Sequence, residues 1–302
     1  MIKIKKIPLE EALSLSPIPK EALSNYLRTM PDIIEKTDIF YENSRSYNQV
    51  YKNFSLFQEV TVLSKDAILL YPVYLELYEY SGLSVMSCID KFSKKYPYNK
   101  ILFQWNHDVD FSSKYAKTVE YKNVYIINFN TSIPNRNDII VPFWAFDTTP
   151  FHEEKKYFAG LIVSPNNQLR HDLMGTIKDK EGYIYKYNLA PEEFSRTISQ
   201  CWFSFCPRGQ GLSSYRFYSC FHLNTIPVLF ADKSALPFKG HVDYEKIIVR
   251  LPESTINDFN YINGILNRID KEAMLDNIER IKNKFSLLGV QEEIHNRILN
   301  EI

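Results

Sequence analysis

The stretch from Phe203 to Asp232, FSFCPRGQGLSSYRFYSCFHLNTIPVLFAD, holds the residue types best suited to gripping an anion. It reads as strand, polar glycine loop, helix, strand. Gly209 and Gly211 give the loop backbone freedom and room for close approach to a ligand. Ser213 or Ser214 can cap the helix that follows. Arg216 falls in the first turn of that helix, where the dipole disfavours a cation, and a bound anion would remove the conflict. Arg208 from the loop could grip the same anion. Two guanidiniums plus free backbone N–H groups suit a diphosphate. Ser219 shares a face with Arg216 at i, i+3, while Phe217, Cys220 and Phe221 form the opposite, core-facing stripe. The plain alternative is that both arginines pair with surface acids and the loop is only a turn. There is no Walker loop (no Gly-Lys-Ser/Thr) and no GxGxxG, which argues against ATPase and dehydrogenase chemistry.

A second candidate group is His107 and Asp108, which follow the apolar strand ending at Trp105. The carboxyl end of a strand is the usual place for functional side chains. Either residue could act as a base toward a hydroxyl; the alternative is an ordinary loop histidine bonded to backbone. Asp108-Val109-Asp110 is the one Asp-x-Asp in a loop placed to chelate a cation. The cysteines, Cys88, Cys201, Cys206 and Cys220, form no CxxC pair and read as free thiols of a reducing compartment. Trp105, Trp144 and Phe146 could stack on sugar rings, although core packing is the simpler role for them.

These residues must be held by a frame, and the apolar runs supply one. Ala67–Tyr74, Ile101–Trp105, Val124–Phe129 and Asp138–Phe143 read as strands covered on both faces, with a crossover helix in Leu75–Lys95. After a polar link at Trp144–Lys156 a second α/β series begins: strands at Tyr157–Val163, Cys201–Cys206 and Ile226–Ala231, and helices at Asn166–Ile177, Pro191–Gln200 and Ser214–Leu223. The charged tail Ser254–Ile302 has helical period, enough for two or three helices. The expected architecture is α/β: two Rossmann-like domains, 1–150 and 151–302, facing across a ligand cleft, with a helical tail on the second. The 302 residues carry 36 Lys+Arg against 36 Asp+Glu, so no net positive field draws the chain to nucleic acid. No run reaches the roughly 18–20 apolar residues of a membrane helix, and the N-terminus lacks a secretory apolar core.

The ordered motifs resemble the exostosin-like glycosyltransferases (GT47-like). Cys206-Pro207-Arg208-Gly209, Ser214-Tyr215-Arg216, Asn224-Thr225-Ile226-Pro227-Val228, Leu236-Pro237-Phe238 and Val249-Arg250-Leu251-Pro252-Glu253 are similar to the family's C-terminal pattern. Asp66–Tyr74, Trp105–Asp108, Asp138–Pro142 and Tyr157–Gly160 resemble its N-terminal and inter-domain segments. The resemblance implies a GT-B fold and transfer of a hexosyl, glucuronyl or pentosyl group from a UDP-sugar to a glycan or lipid-linked glycan acceptor. It further implies an inverting, metal-independent reaction, with no resident cofactor, in polysaccharide or surface-glycan synthesis. The donor side would comprise Arg208, Gly209, Gly211, Ser213, Ser214, Arg216 and Ser219, and the acceptor side His107 and Asp108. Ser219 stands where relatives carry a Glu that would hold the ribose hydroxyls, so a non-catalytic, nucleotide-sugar-binding partner of an active transferase is the competing expectation. Relatives are often anchored; the lack of an anchor here points to a cytoplasmic protein, with a membrane surface as one place to meet a lipid-linked acceptor.

Overall fold

Parallel sheets are covered on both faces, so their strands carry continuous apolar runs. All residues of β5 (Val124–Asn128) and β10 (Ile226–Phe230) are buried. The structure, a computed structural model, describes residues 2–22, 57–59, 63–65, 67–105, 110–128, 131–134, 136, 138–142, 151, 153–209, 211–238 and 240–299. Contacts divide the chain into two units, Met1–Val141 with Leu287–Ile302, and Pro142–Ser286.

Among the described residues the first unit has a six-stranded, wholly parallel sheet. Its strands are β1 (Ile2–Lys6), β2 (Phe57–Glu59), β3 (Ile68–Tyr74), β4 (Ile101–Trp105), β5 and β6 (Asp138–Ile140), in the order β2-β1-β3-β4-β5-β6. Helices α1 (Leu9–Leu15), α2 (Glu76–Tyr80), α3 (Val85–Lys95) and α4 (Phe111–Lys114) join them. Helix α3 begins where the Ser84 hydroxyl accepts the Ser87 N–H at 3.1 Å, and it buries Val85, Cys88, Ile89 and Phe92 at helical spacing. Those side chains share one core with Tyr71, Phe103, Trp105 and Phe111. Trp105 is fully buried, packed on Phe111 at 5.1 Å and on Tyr115 at 5.6 Å, so it belongs to this core and is not open for stacking on a sugar.

The second unit repeats the design with five parallel strands: β7 (Tyr157–Ile162), β8 (Tyr183–Lys186), β9 (Cys201–Pro207), β10 and β11 (Val249–Leu251). Its helices are α5 (Gln168–Ile177), α6 (Pro191–Ser199), α7 (Tyr215–His222), α8 (Phe259–Leu266) and α9 (Lys271–Ile281). The strand order is β11-β10-β9-β7-β8. The chain runs outward from β7 to β8 and then crosses back to β9, so β7 and β9 flank the topological switch point. Lys155 holds the opposite, amino ends of the central strands, its ammonium donating to Ser199 O at 2.9 Å, Cys201 O at 2.8 Å and the carbonyl of Asn224. Asn224 sits at φ 50°, a left-handed position that Asn tolerates better than most residues.

The tail forms α8, α9 and α10 (Leu287–Leu299), as its helical period predicts. The sequence reading keeps all of it with the second domain and divides the chain at residue 150. By contacts the division falls after Val141, and α10 packs with the first unit, where Val290, Ile294 and Ile298 are buried. Their i, i+4 spacing shows that the helix needs a core but cannot say which one. Among the described residues no helix is long and apolar enough to cross a membrane.

Candidate anion site at the second switch point

The glycine loop between β9 and α7 leaves the sheet at this switch point. Helix α7 is buried along almost its whole length, from Arg216 through Phe221, so the sequence picture of one polar and one apolar face does not hold. The outer side is closed by Phe285, whose ring stacks on Phe221 at 4.1 Å. Ser219 is fully buried and donates to Tyr215 O at 3.1 Å, the back-bond a mid-helix serine commonly makes. Ser214 occupies the N-cap position in extended conformation, but its side chain takes no first-turn N–H. Ser213 instead bonds the hydroxyl of Tyr218. The helix therefore presents an N-terminus without a side-chain cap toward the loop, the arrangement that attracts anions.

Arg216 decides what the site can do. It is only 9% exposed, and Nε and Nη1 are buried without a hydrogen-bond partner. What its guanidinium does meet is the ring of Phe194 on α6, with Cζ 5.8 Å from the centroid. The neighbouring sulfurs of Cys206 and Cys220 lie 3.8 Å apart. Burial pushes the Cys206 thiol well up, so it offers no thiolate as counter-ion. Desolvation, with the charge of Arg170 acting in the same direction, lowers the Arg216 pKa to about 10. A buried cation without an acceptor is costly unless something absent from the free protein pairs it.

Arg170 is a site residue that sequence reasoning missed. It lies in the first turn of α5, directly after β7, on the other flank of the switch point. Asn167 caps that helix, accepting the Arg170 N–H at 3.0 Å, and donates to Arg208 O at 3.2 Å, which ties the two loops together. Arg170 Nη1 donates to Ser164 O at 3.2 Å and to Asn166 Oδ1 at 2.8 Å, while Nε is buried with no partner. A Cβ on Gly209 would come within 3.1 Å of Arg170 Nη2, so the missing side chain of Gly209 is what lets the guanidinium lie against the loop. The signal was available. Arg170 is a cation in a first helical turn, the same conflict with the dipole that singles out Arg216.

Arg208 behaves differently. Its Nε donates to Glu253 Oε1 at 2.8 Å, and its own N–H donates to Phe230 O at 3.1 Å. Glu253 follows the edge strand β11 and is locked in turn, because its N–H donates to Asp232 Oδ1 at 2.9 Å. The alternative of a loop arginine paired with an acid thus holds for Arg208 and fails for Arg216. The outcome is two half-buried or buried guanidiniums without a facing carboxylate, and a third already balanced. Gly211 is buried in the same loop. His107 and Asp108, with Trp144 and Phe146, lie outside the described residues. Asp110 is fully committed, accepting from Ser113, Thr131 and Ser132. Among the described residues no three His, Cys, Asp or Glu side chains gather as a metal site.

The comparison with known families settles the kinship. The exostosin GT47 domain matches residues 105–268, more than half of the chain and all of the cluster just described. The chain belongs to the exostosin GT47 family. Its two parallel α/β units are those of the GT-B glycosyltransferase fold, seen also in the lipopolysaccharide outer core galactosyltransferase WaaB. That apo structure matches with a TM-score of 0.50 at 12% identity, over 99% of this chain and 100% of the other. A chain of the GtfA/B complex matches with a TM-score of 0.46 at 8% identity over 79% of this chain and 58% of that one. The pneumococcal O-GlcNAc transferase GtfA in complex with UDP and GlcNAc matches at 0.43 and 9% identity, over 79% and 57%. This exostosin-family chain therefore spans less than two thirds of the length of the latter two.

Proposed function

We propose that this chain transfers a sugar from a UDP-sugar to a glycan or lipid-linked glycan acceptor, by an inverting reaction that does not depend on a metal. The observation that carries the reading is the unpartnered, buried guanidinium of Arg216, with Arg170 beside it at the switch point of the second sheet. The diphosphate of the donor lies over the N-terminus of α7, on the Arg170 and Arg216 guanidiniums. Gly209 and Gly211 keep the loop clear, and Arg208 stands at its base. As the bond from the anomeric carbon to the diphosphate oxygen breaks, charge grows on the leaving group, where these cations hold it. His107 or Asp108 takes the proton from the acceptor hydroxyl as its oxygen attacks the opposite face of the sugar.

Ser219 gives weight to a second reading, a donor-binding partner without turnover, because its only hydroxyl proton is spent on the Tyr215 carbonyl. Thermal denaturation with UDP, GDP, ADP and CMP, followed by a UDP-release assay with candidate acceptors, separates the two. Selective stabilisation by UDP with acceptor-dependent UDP release supports the transferase. Binding without release favours the partner, and no response to any nucleoside diphosphate refutes both. In an active protein, His107→Ala and Asp108→Asn tested separately identify the base; full turnover in both removes that assignment.

A further inference from the structure

Arg216 raises a question of mechanics. A guanidinium with no hydrogen-bond acceptor has nothing in its own plane to hold it, and a long side chain loses considerable rotamer freedom when fixed. Yet its environment is ordered on one side by an aromatic ring. Phe194 lies within the distance at which a cation is attracted to a ring face, 5.8 Å from Cζ to centroid. Attraction through the ring face differs from a hydrogen bond in one respect that matters here: it consumes none of the N–H groups, all of which lie in the guanidinium plane.

Phe194 is itself firmly set. Helix α6 starts at Pro191, whose fixed φ suits a first helical position, and the Phe194 N–H closes the first turn on Ala190 O at 2.8 Å. Ser195 and Ile198 pin the helix from their buried positions. The ring also meets Tyr215 at 6.1 Å, the residue that opens α7 just ahead of Arg216. A half-buried aromatic thus bridges α6 and the start of α7 beside a buried guanidinium that has no acceptor.

We propose that Phe194 is a positioning residue for the anion site: its ring carries the Arg216 guanidinium and leaves the N–H groups open to the donor diphosphate. This rests on the donor-site reading above. A carboxylate in the same place would hold the arginine better in the free protein and would compete with the ligand. A leucine would fill the volume but supply no negative face for the cation.

The test is calorimetric titration of wild type, Phe194→Leu, Phe194→Tyr and Phe194→Trp with UDP and, separately, with inorganic pyrophosphate, alongside the unfolding midpoint of each free protein. Phe194→Leu lowers the affinity for both probes by the same factor, roughly three- to tenfold for a shielded cation–ring contact. Phe194→Tyr and Phe194→Trp restore most of it. Equal binding by wild type and Phe194→Leu overturns the proposal, as does an aromatic variant that binds no better than Leu. A loss seen with UDP but not with pyrophosphate also overturns it, because the ring would then serve the nucleoside. If wild type binds neither probe, the donor-site reading itself has failed, an outcome distinct from all of these.

Discussion

Replacing Arg216 by Met should strengthen the free protein and disable it at once. Desolvation holds the Arg216 pKa at about 10, well below that of an ordinary guanidinium. At 1.36 kcal/mol per pH unit the folded state spends about 3 kcal/mol to keep that charge. The sign is that of a base with a depressed pKa: at neutral pH both states are protonated, and the folded one bears the penalty. Methionine keeps most of the apolar stem and loses the contact with Phe194, worth about 1 kcal/mol. The expected gain for the free protein is about 2 kcal/mol, or roughly 4–8 °C in the unfolding midpoint for a domain of this size. With UDP that lead all but disappears. A ligand at a hundredfold excess over its Kd stabilises wild type by about 2.7 kcal/mol. Losing one charge-assisted contact costs about 1.5–3 kcal/mol of binding, so Arg216→Met gains only about 0.3–1.3 kcal/mol from the same UDP concentration. Scanning calorimetry with and without UDP reads both effects. A variant less stable than wild type without ligand would show that the guanidinium is already satisfied. A variant with the full UDP shift would remove Arg216 from the donor site.

Gly209→Ala brings a Cβ to 3.1 Å from Arg170 Nη2 and meets no positive-φ strain. Isothermal titration should show UDP binding weakened roughly fivefold, about 1 kcal/mol, at an unchanged unfolding midpoint; unaltered affinity would separate Arg170 from the ligand. Gly160→Ala is a stability test, because its Cβ would stand 2.6 Å from Cys201 Sγ and 2.9 Å from Ile162 Cδ1. Overpacking of this kind costs about 1–3 kcal/mol, and Cys201→Ala in the same chain should recover part of the loss in urea denaturation. His222, bonded to Phe285 O at 3.3 Å, has its pKa lowered by burial. A base depressed in the folded state stabilises fully above its unfolded value near 6.5 and loses that contribution as pH falls through the folded value. The midpoint should therefore decline with acid below pH 6.5 in wild type and less steeply in His222→Gln; identical slopes would refute it.

What could be read from the sequence follows from how local each determinant is. The runs VYIIN and IPVLF announce buried strands, because two-sided burial leaves no polar face to confuse the pattern. Four strands escaped that logic, among them β2, FQE, whose three residues carry no period. β1 is IKIKK, whose lysines break the apolar run; β8 is YIYK, half-buried at the sheet edge; β11 is VRL, too short for any period. The same division governs the site. Arg208 in the loop and Arg216 in the helix it leads into stand out as a pair, but nothing local says which of them meets an acid. The acid that balances Arg208 is Glu253, on another strand end 45 positions along the chain. The ring that carries Arg216 arrives from the preceding helix. Ser219 looked available because helical spacing puts it on the face of Arg216, yet spacing says nothing of the Phe285 segment that buries the helix from outside.

Arg170 marks the boundary between these cases. Its position three residues after Asn167, at a helix start following a buried strand, was as local a signal as that of Arg216. Each arginine opposes the dipole of its own helix, and each would be a small flaw if it stood alone. In the folded chain the switch point brings the two flaws together, and Asn167 ties their loops at Arg208 O. Two unfavourable cations placed side by side without an acid do not serve stability, since each makes the other harder to keep. A ligand with at least two negative charges, absent from the free protein, turns that repulsion into binding. The reading thus depends on the sum of two local conflicts at one place in the topology, which is why neither glycine loop nor single arginine was enough to reveal it.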